Sequence, residues 1–86
     1  MHTILYKKSV EKDLRKLATA QRKVIIAKIE ALATNPYPIH ATKLRGSSDL
    51  FRIRHTGYRI IYQVEDSRLV IIVIKIGHRR EVYRGF

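Results

Sequence analysis

The stretch Leu50-Phe51-Arg52-Ile53-Arg54-His55-Thr56-Gly57-Tyr58-Arg59-Ile60-Ile61-Tyr62-Gln63-Val64 decides the fold. Its apolar residues recur with a period of two, the signature of a half-buried strand rather than a helix. Phe51 and Ile53 alternate with Arg52 and Arg54; Tyr58, Ile60, Tyr62 and Val64 alternate with Arg59, Ile61 and Gln63. Thr56-Gly57 between the two runs reads as a two-residue hairpin turn. That turn fixes the pairing: His55 faces Tyr58 and Arg54 faces Arg59. Arg52, Arg54 and Arg59 then share one face, and Phe51, Ile53, Tyr58, Ile60 and Tyr62 share the other.

Downstream, Asp66-Ser67 reads as a second two-residue turn, with Glu65 facing Arg68. Leu69 to Ile76 is apolar on both faces apart from Lys75, as in a central strand. This register places Arg59 opposite Ile74 and Ile61 opposite Ile72, and adds Leu69, Ile71 and Val73 to the core face. Gly77 ends the strand beside the Thr56-Gly57 turn. His78, Arg79 and Tyr83 can then fold back over the arginine face.

Upstream, His2 to Tyr6 reads as a short strand. Ser9 suits a helix N-cap, with Glu11 and Asp13 in the first turn and Val10, Leu14 and Leu17 as the apolar row. A second helix is expected from about Gln21 to Ala33. Val24, Ile25, Ala27, Ile29, Ala31 and Leu32 form its apolar stripe. Asn35-Pro36-Tyr37-Pro38 ends it, because the residue before a proline is pushed out of helical geometry. A loop runs from there to about Ser48. The expected fold is α+β: a short N-terminal strand and an antiparallel helix hairpin packed on one face of an antiparallel β-sheet. Its 86 residues make a single domain.

Charge points to the partner. The chain has 18 Lys+Arg against 7 Asp+Glu, a formal net charge of +11. An excess of that size on a short chain favours a polyanion, most often nucleic acid. Of the eight basic residues in positions 1–42, six are Lys; of the ten in positions 43–86, eight are Arg. Arg grips phosphate with a rigid fork of donors, whereas Lys is a mobile point charge. The second half is therefore the phosphate-gripping half. Three guanidiniums over an apolar floor make sense where an anion belongs, since like charges across a strand pair are otherwise unfavourable.

Several chemistries are excluded or weak. The chain has no cysteine, so thiol nucleophiles and thiolate metal sites are absent. His2, His40, His55 and His78 lack metal-ligand spacing, no pair of carboxylates sits at useful spacing, and there is no Gly-rich phosphate loop. No cofactor is expected. No apolar run approaches the roughly 20 residues of a membrane span, and the first eight residues do not read as a signal peptide. A soluble cytoplasmic protein is expected. What remains is metal-free phosphodiester transfer in RNA, with the substrate's 2′-hydroxyl as nucleophile. Arg would stabilise the charge growing on phosphorus, and Tyr or His would handle protons.

The segments Lys43-Leu44-Arg45-Gly46, Phe51-Arg52-Ile53-Arg54, Gly57-Tyr58-Arg59-Ile60-Ile61-Tyr62 and Gly77-His78-Arg79-Arg80-Glu81-Val82-Tyr83 resemble the RelE/ParE superfamily of toxin–antitoxin toxins, on the RelE side. The resemblance implies an endoribonuclease that cuts messenger RNA in the ribosomal 30S A site, leaves a 2′,3′-cyclic phosphate, and is neutralised by a cognate acidic antitoxin. It implies that Arg59 steadies the transition-state phosphate, that Arg79 acts at the leaving group, and that Tyr83 stacks on or deprotonates the substrate. Arg52 and Arg54 fall on two alternating basic positions that are often Lys in RelE-type toxins. Arg stays protonated, so these two clamp rather than accept a proton. The base role moves to Tyr83 or His78, and the residues do not choose between them. Lys43, Arg45 and Arg80 join Arg52 as candidate substrate contacts. The alternatives are a ParE-like inhibitor of DNA gyrase that cleaves nothing, and a relative that only binds RNA.

Overall fold

The structure, a computed structural model, describes residues 1–78. Its elements in chain order are β1 (Thr3–Tyr6), α1 (Lys8–Arg15), α2 (Thr19–Ala31), β2 (Thr42–Lys43), β3 (Leu50–His55), β4 (Tyr58–Glu65) and β5 (Val70–His78). The five strands form one sheet in the order β1-β5-β4-β3-β2. It is a mixed sheet: β1 runs parallel to β5 and the other pairs are antiparallel. No helix among the described residues is long and apolar enough to cross a membrane.

Both helices cover one face of the sheet. Val10, Leu17, Ile25, Ile29 and Leu32 pack on Ile53, Ile60, Tyr62, Val64, Ile71, Val73 and Ile76. Each helix buries a narrow row that continues past its end: Val10, with half-buried Leu14, on α1 and Leu17 just beyond it; Ile25 and Ile29 on α2 and Leu32 at its C-cap. Val24, Ala27 and Ala31, expected in the α2 stripe, face solvent. The helix starts also differ from expectation. Lys7, not Ser9, is the N-cap of α1, and neither helix has a side-chain cap at its N-terminus. Short helices without caps depend on tertiary packing. Arg22 of α2 supplies part of it, donating from Nε to the Leu14 carbonyl (3.0 Å) and from Nη2 to the Leu17 carbonyl (3.1 Å). The Leu14 carbonyl also accepts the Leu17 N–H at 3.1 Å, so Arg22 adds a second donor there and one to the Leu17 carbonyl just past α1.

The loop after α2 is pinned to the sheet. The buried Tyr62 hydroxyl donates to the Pro36 carbonyl at 2.7 Å, and the Tyr37 ring meets Phe51 edge-on at 5.1 Å. Part of the expected loop forms the two-residue strand β2, too short to show a period, which pairs Thr42 with Arg52 and Lys43 with Phe51.

The β3–β4 register is as expected: His55 opposite Tyr58, Arg54 opposite Arg59, Arg52 opposite Ile61. The β4–β5 register is not. Glu65 pairs with Val70, so the turn holds four residues, not two. Leu69 lies in that turn with φ 52° and is 52% exposed, not in the core. A bulge at Ile61/Tyr62 then shifts the pairing by one more residue. Its cause is the alternation itself. Continued from Ile71 and Val73, it would send Lys75 and Gly77 into the core. The extra residue, Ile74, resets the phase and lets Ile76 fill the core at 1% exposure. Arg59 therefore faces Gly77, and Ile61 faces Lys75. Gly77 does not end the strand, which runs on to His78.

Candidate functional site

The face of the sheet turned away from the helices carries the candidate site. Three arginines meet there because β3 and β4 alternate in phase across a two-residue turn. Arg54 lies directly across from Arg59, and Arg52 is two residues back along β3, across from Ile61. Arg54 is exposed; Arg52 and Arg59 are half-buried. The Nε atoms of Arg52 and Arg59 have no contact with solvent, and that of Arg59 has no hydrogen-bond partner among the described residues. Ile61 is fully buried yet stands apart from the main core cluster. It forms an apolar floor between Arg52 and the β5 strand. Gly77, across from Arg59, carries no side chain.

Chemically, a pair of opposed guanidiniums above an apolar floor can stabilise an anion. Charge-assisted hydrogen bonds from Arg to phosphate are stronger than neutral ones and are frequently bidentate. Fixed donors aimed at developing charge lower a transition state without reorganising.

The other candidates divide. Lys43, in β2, and Arg45, in the loop after it, are both exposed; Thr42 pairs with Arg52, while Lys43 pairs with Phe51 and so takes the core-side phase rather than that of the arginines. His78 pairs with Tyr58, whose alternation phase is that of Ile60 and the core, not that of Arg59. The two rings meet edge-on with centroids 6.0 Å apart. His78 Nε2 lies 3.1 Å from where a Cβ on Gly57 would stand. The expectation that His78 folds over the arginine face is thus not met: the bulge turns it to the other side. Arg79, Arg80 and Tyr83 lie outside the described residues. Gly77, read as a strand breaker, proves to be Arg59's partner; only the bulge reveals it.

A second polar cluster occupies the opposite end of the sheet. Asp66, in the β4–β5 turn, accepts hydrogen bonds from the Tyr37 hydroxyl (2.5 Å) and from His2 Nε2 (2.8 Å). Tyr37, and secondarily His2, hold the Asp66 carboxyl below the usual carboxylate range. The same hydrogen bond pushes the Tyr37 hydroxyl up to about 12. Burial pushes Tyr62 up to about 12 as well. This cluster ties the N-terminus, the proline loop and the turn together.

Comparison with known proteins bears on the family and the fold. The chain matches the family model of the ParE toxin of the type II toxin-antitoxin system parDE over residues 4–83. It is 41% identical over 76 residues to the mRNA interferase toxin RelE of Escherichia coli K12, covering 84% of this chain and 79% of that protein. The isolated E. coli RelE toxin superposes with a TM-score of 0.81 at 30% identity, over 91% of this chain and 84% of the other. The toxin of the archaeal RelE-RelB complex from Pyrococcus horikoshii OT3 gives 0.82 at 29% identity, over 94% and 98%. With its family signature, its relatives and its fold in agreement, this chain belongs to the RelE/ParE family of type II toxin–antitoxin toxins, as a RelE-type member.

Proposed function

We propose that this toxin is an endoribonuclease that cleaves messenger RNA in the ribosomal A site without a metal ion. The substrate's own 2′-oxygen attacks the adjacent phosphorus and loses its proton. The bond from phosphorus to the 5′-oxygen breaks, that oxygen takes up a proton, and a 2′,3′-cyclic phosphate remains. Arg59 and Arg54 stabilise the charge on phosphorus, and Arg52 clamps the neighbouring backbone. Lys43, Arg45 and Arg80 hold flanking phosphates, and Arg79 neutralises the leaving oxygen. Tyr83 takes the base role; the turning of His78 toward Tyr58 favours it over His78. The observation that carries the reading is the directly opposed pair Arg54 and Arg59 with Arg52 on the same face. The 41% identical relative named an mRNA interferase supports the activity.

An acidic RelB-like antitoxin is proposed as partner. A +11 chain attracts a counter-charged segment, and the archaeal relative was solved with RelB.

Mapping transcript 5′ ends after brief induction tests this. In-frame cuts inside translated genes, lost with Arg59→Ala, are expected. DNA damage signalling without cuts would instead indicate a ParE-like gyrase inhibitor, and neither signal a non-catalytic RNA binder.

A further inference from the structure

The hairpin that carries Arg54 and Arg59 is not supported evenly. Arg59 lies between two strands, opposite Arg54 on β3 and Gly77 on β5. β3 is different. β2 flanks it only at Phe51 and Arg52, so from Ile53 to His55 its one neighbouring strand among the described residues is β4. Arg54 therefore lies on a strand edge. Two loads act on that edge. Arg54 is opposed by a like charge. Next to it in the turn, Thr56 holds φ 51°, a left-handed geometry that a β-branched side chain disfavours. Such a conformation persists where its surroundings over-determine it.

The helices supply a direct hold. Successive strand side chains point to opposite faces, so Arg54 projects from the open face and His55 toward the helices. There His55 Nε2 donates to Gln21 Oε1 at 2.8 Å, and both residues are half-buried. An amide oxygen only accepts, so His55 carries a proton on Nε2. Gln21 lies in the first turn of α2. Its neighbour Arg22 binds the Leu14 and Leu17 carbonyls at the end of α1. A tether thus runs from the end of one helix, through the start of the next, to the residue beside Arg54.

From this we infer that Gln21 and His55 are positioning residues for RNA cleavage: their hydrogen bond, on the helix side of the sheet, fixes Arg54 where it stabilises the scissile phosphate on the other side. The inference rests on the nuclease reading above and adds two residues that touch no substrate. Fixed donors lower a transition state because they need not reorganise as charge develops, and a small misplacement is costly. Arg59, held by strands on both sides, needs no such tether; Arg54, on the edge, does. A shift of His55 moves Arg54 directly. The rate should then suffer more than binding, which attraction between RNA phosphates and the whole +11 chain largely carries.

The test uses the intact chain acting on ribosomes programmed with messenger RNA, in single turnover, and reads the maximal cleavage rate and the half-saturating toxin concentration. Gln21→Met keeps the length of the side chain and removes the acceptor; His55→Phe keeps a ring and removes the donor. Each is expected to lower the maximal rate about tenfold while half-saturation moves by less than about twofold. Together they should cost no more than either alone, as two halves of one contact. Gln21→Glu restores an acceptor and should recover the rate. In an Arg54→Ala background the effect of Gln21→Met should vanish. An unchanged rate in Gln21→Met, or a lower melting temperature with the rate intact, would overturn the positioning role and leave the arginine site standing. A rate loss that persists undiminished in Arg54→Ala would overturn it too. If Arg54→Ala by itself cleaves at full rate, Arg54 has no part in the reaction, and the nuclease reading of the arginine pair fails together with the inference.

Discussion

Arg54 and Arg59 stand directly opposite each other across the β3–β4 hairpin, and neither forms an ion pair among the described residues. Like charges in that position cost roughly 0.2–1 kcal/mol. Arg54→Thr is therefore expected to raise stability by about that amount while weakening growth arrest. The urea midpoint and a toxicity assay on the same variant check both halves. Unchanged toxicity would remove Arg54 from the site.

Gly77→Val places a branched side chain directly across from Arg59. Valine suits a strand better than glycine, so thermal stability should hold or rise. RNA cleavage is expected to fall at least about tenfold, because the scissile phosphate loses its room beside Arg59. Full cleavage activity in a folded variant would mean the phosphate does not sit there.

Tyr62→Phe removes the hydrogen bond to the Pro36 carbonyl and leaves that buried acceptor without its donor. The expected cost is about 1–3 kcal/mol, read as a lower urea midpoint at unchanged slope. In alkaline titration, wild-type tyrosinate absorbance should show Tyr37 and Tyr62 ionising at about 12. In the variant one of these late steps should vanish.

The Asp66 cluster shapes the pH dependence of stability. Asp66 is held below its ordinary range in the fold, so the unfolded chain binds its proton more readily. Its contribution is present above the ordinary carboxylate range and is lost as pH falls through the lowered native value. Tyr37 is raised, so its contribution is present below its ordinary ionisation near 10 and is lost as pH rises toward about 12. Asp66→Asn should flatten the acid limb, and Tyr37→Phe the alkaline limb, of unfolding free energy against pH. An unaltered acid limb in Asp66→Asn would show that the turn is held by other means.

The shared face of Arg52, Arg54 and Arg59 was legible in the amino-acid order alone. Strand alternation is a property of the backbone, and a two-residue turn leaves the pairing of its flanking strands no freedom. The helix pair was legible too, though not its narrow buried rows: propensity marks where a helix can form, while the sheet beneath selects which side is covered. The third long strand was different. Nothing local distinguishes Ile74 as an extra residue or Leu69 as a turn residue, because both are ordinary apolar side chains in an apolar run. Their roles follow from what the packed core accepts: Ile76 inside, Lys75 and Gly77 outside. That requirement exists only once the helices have closed over β4 and β5. It brings Gly77 to Arg59 and turns His78 away from the arginines to stand against Tyr58.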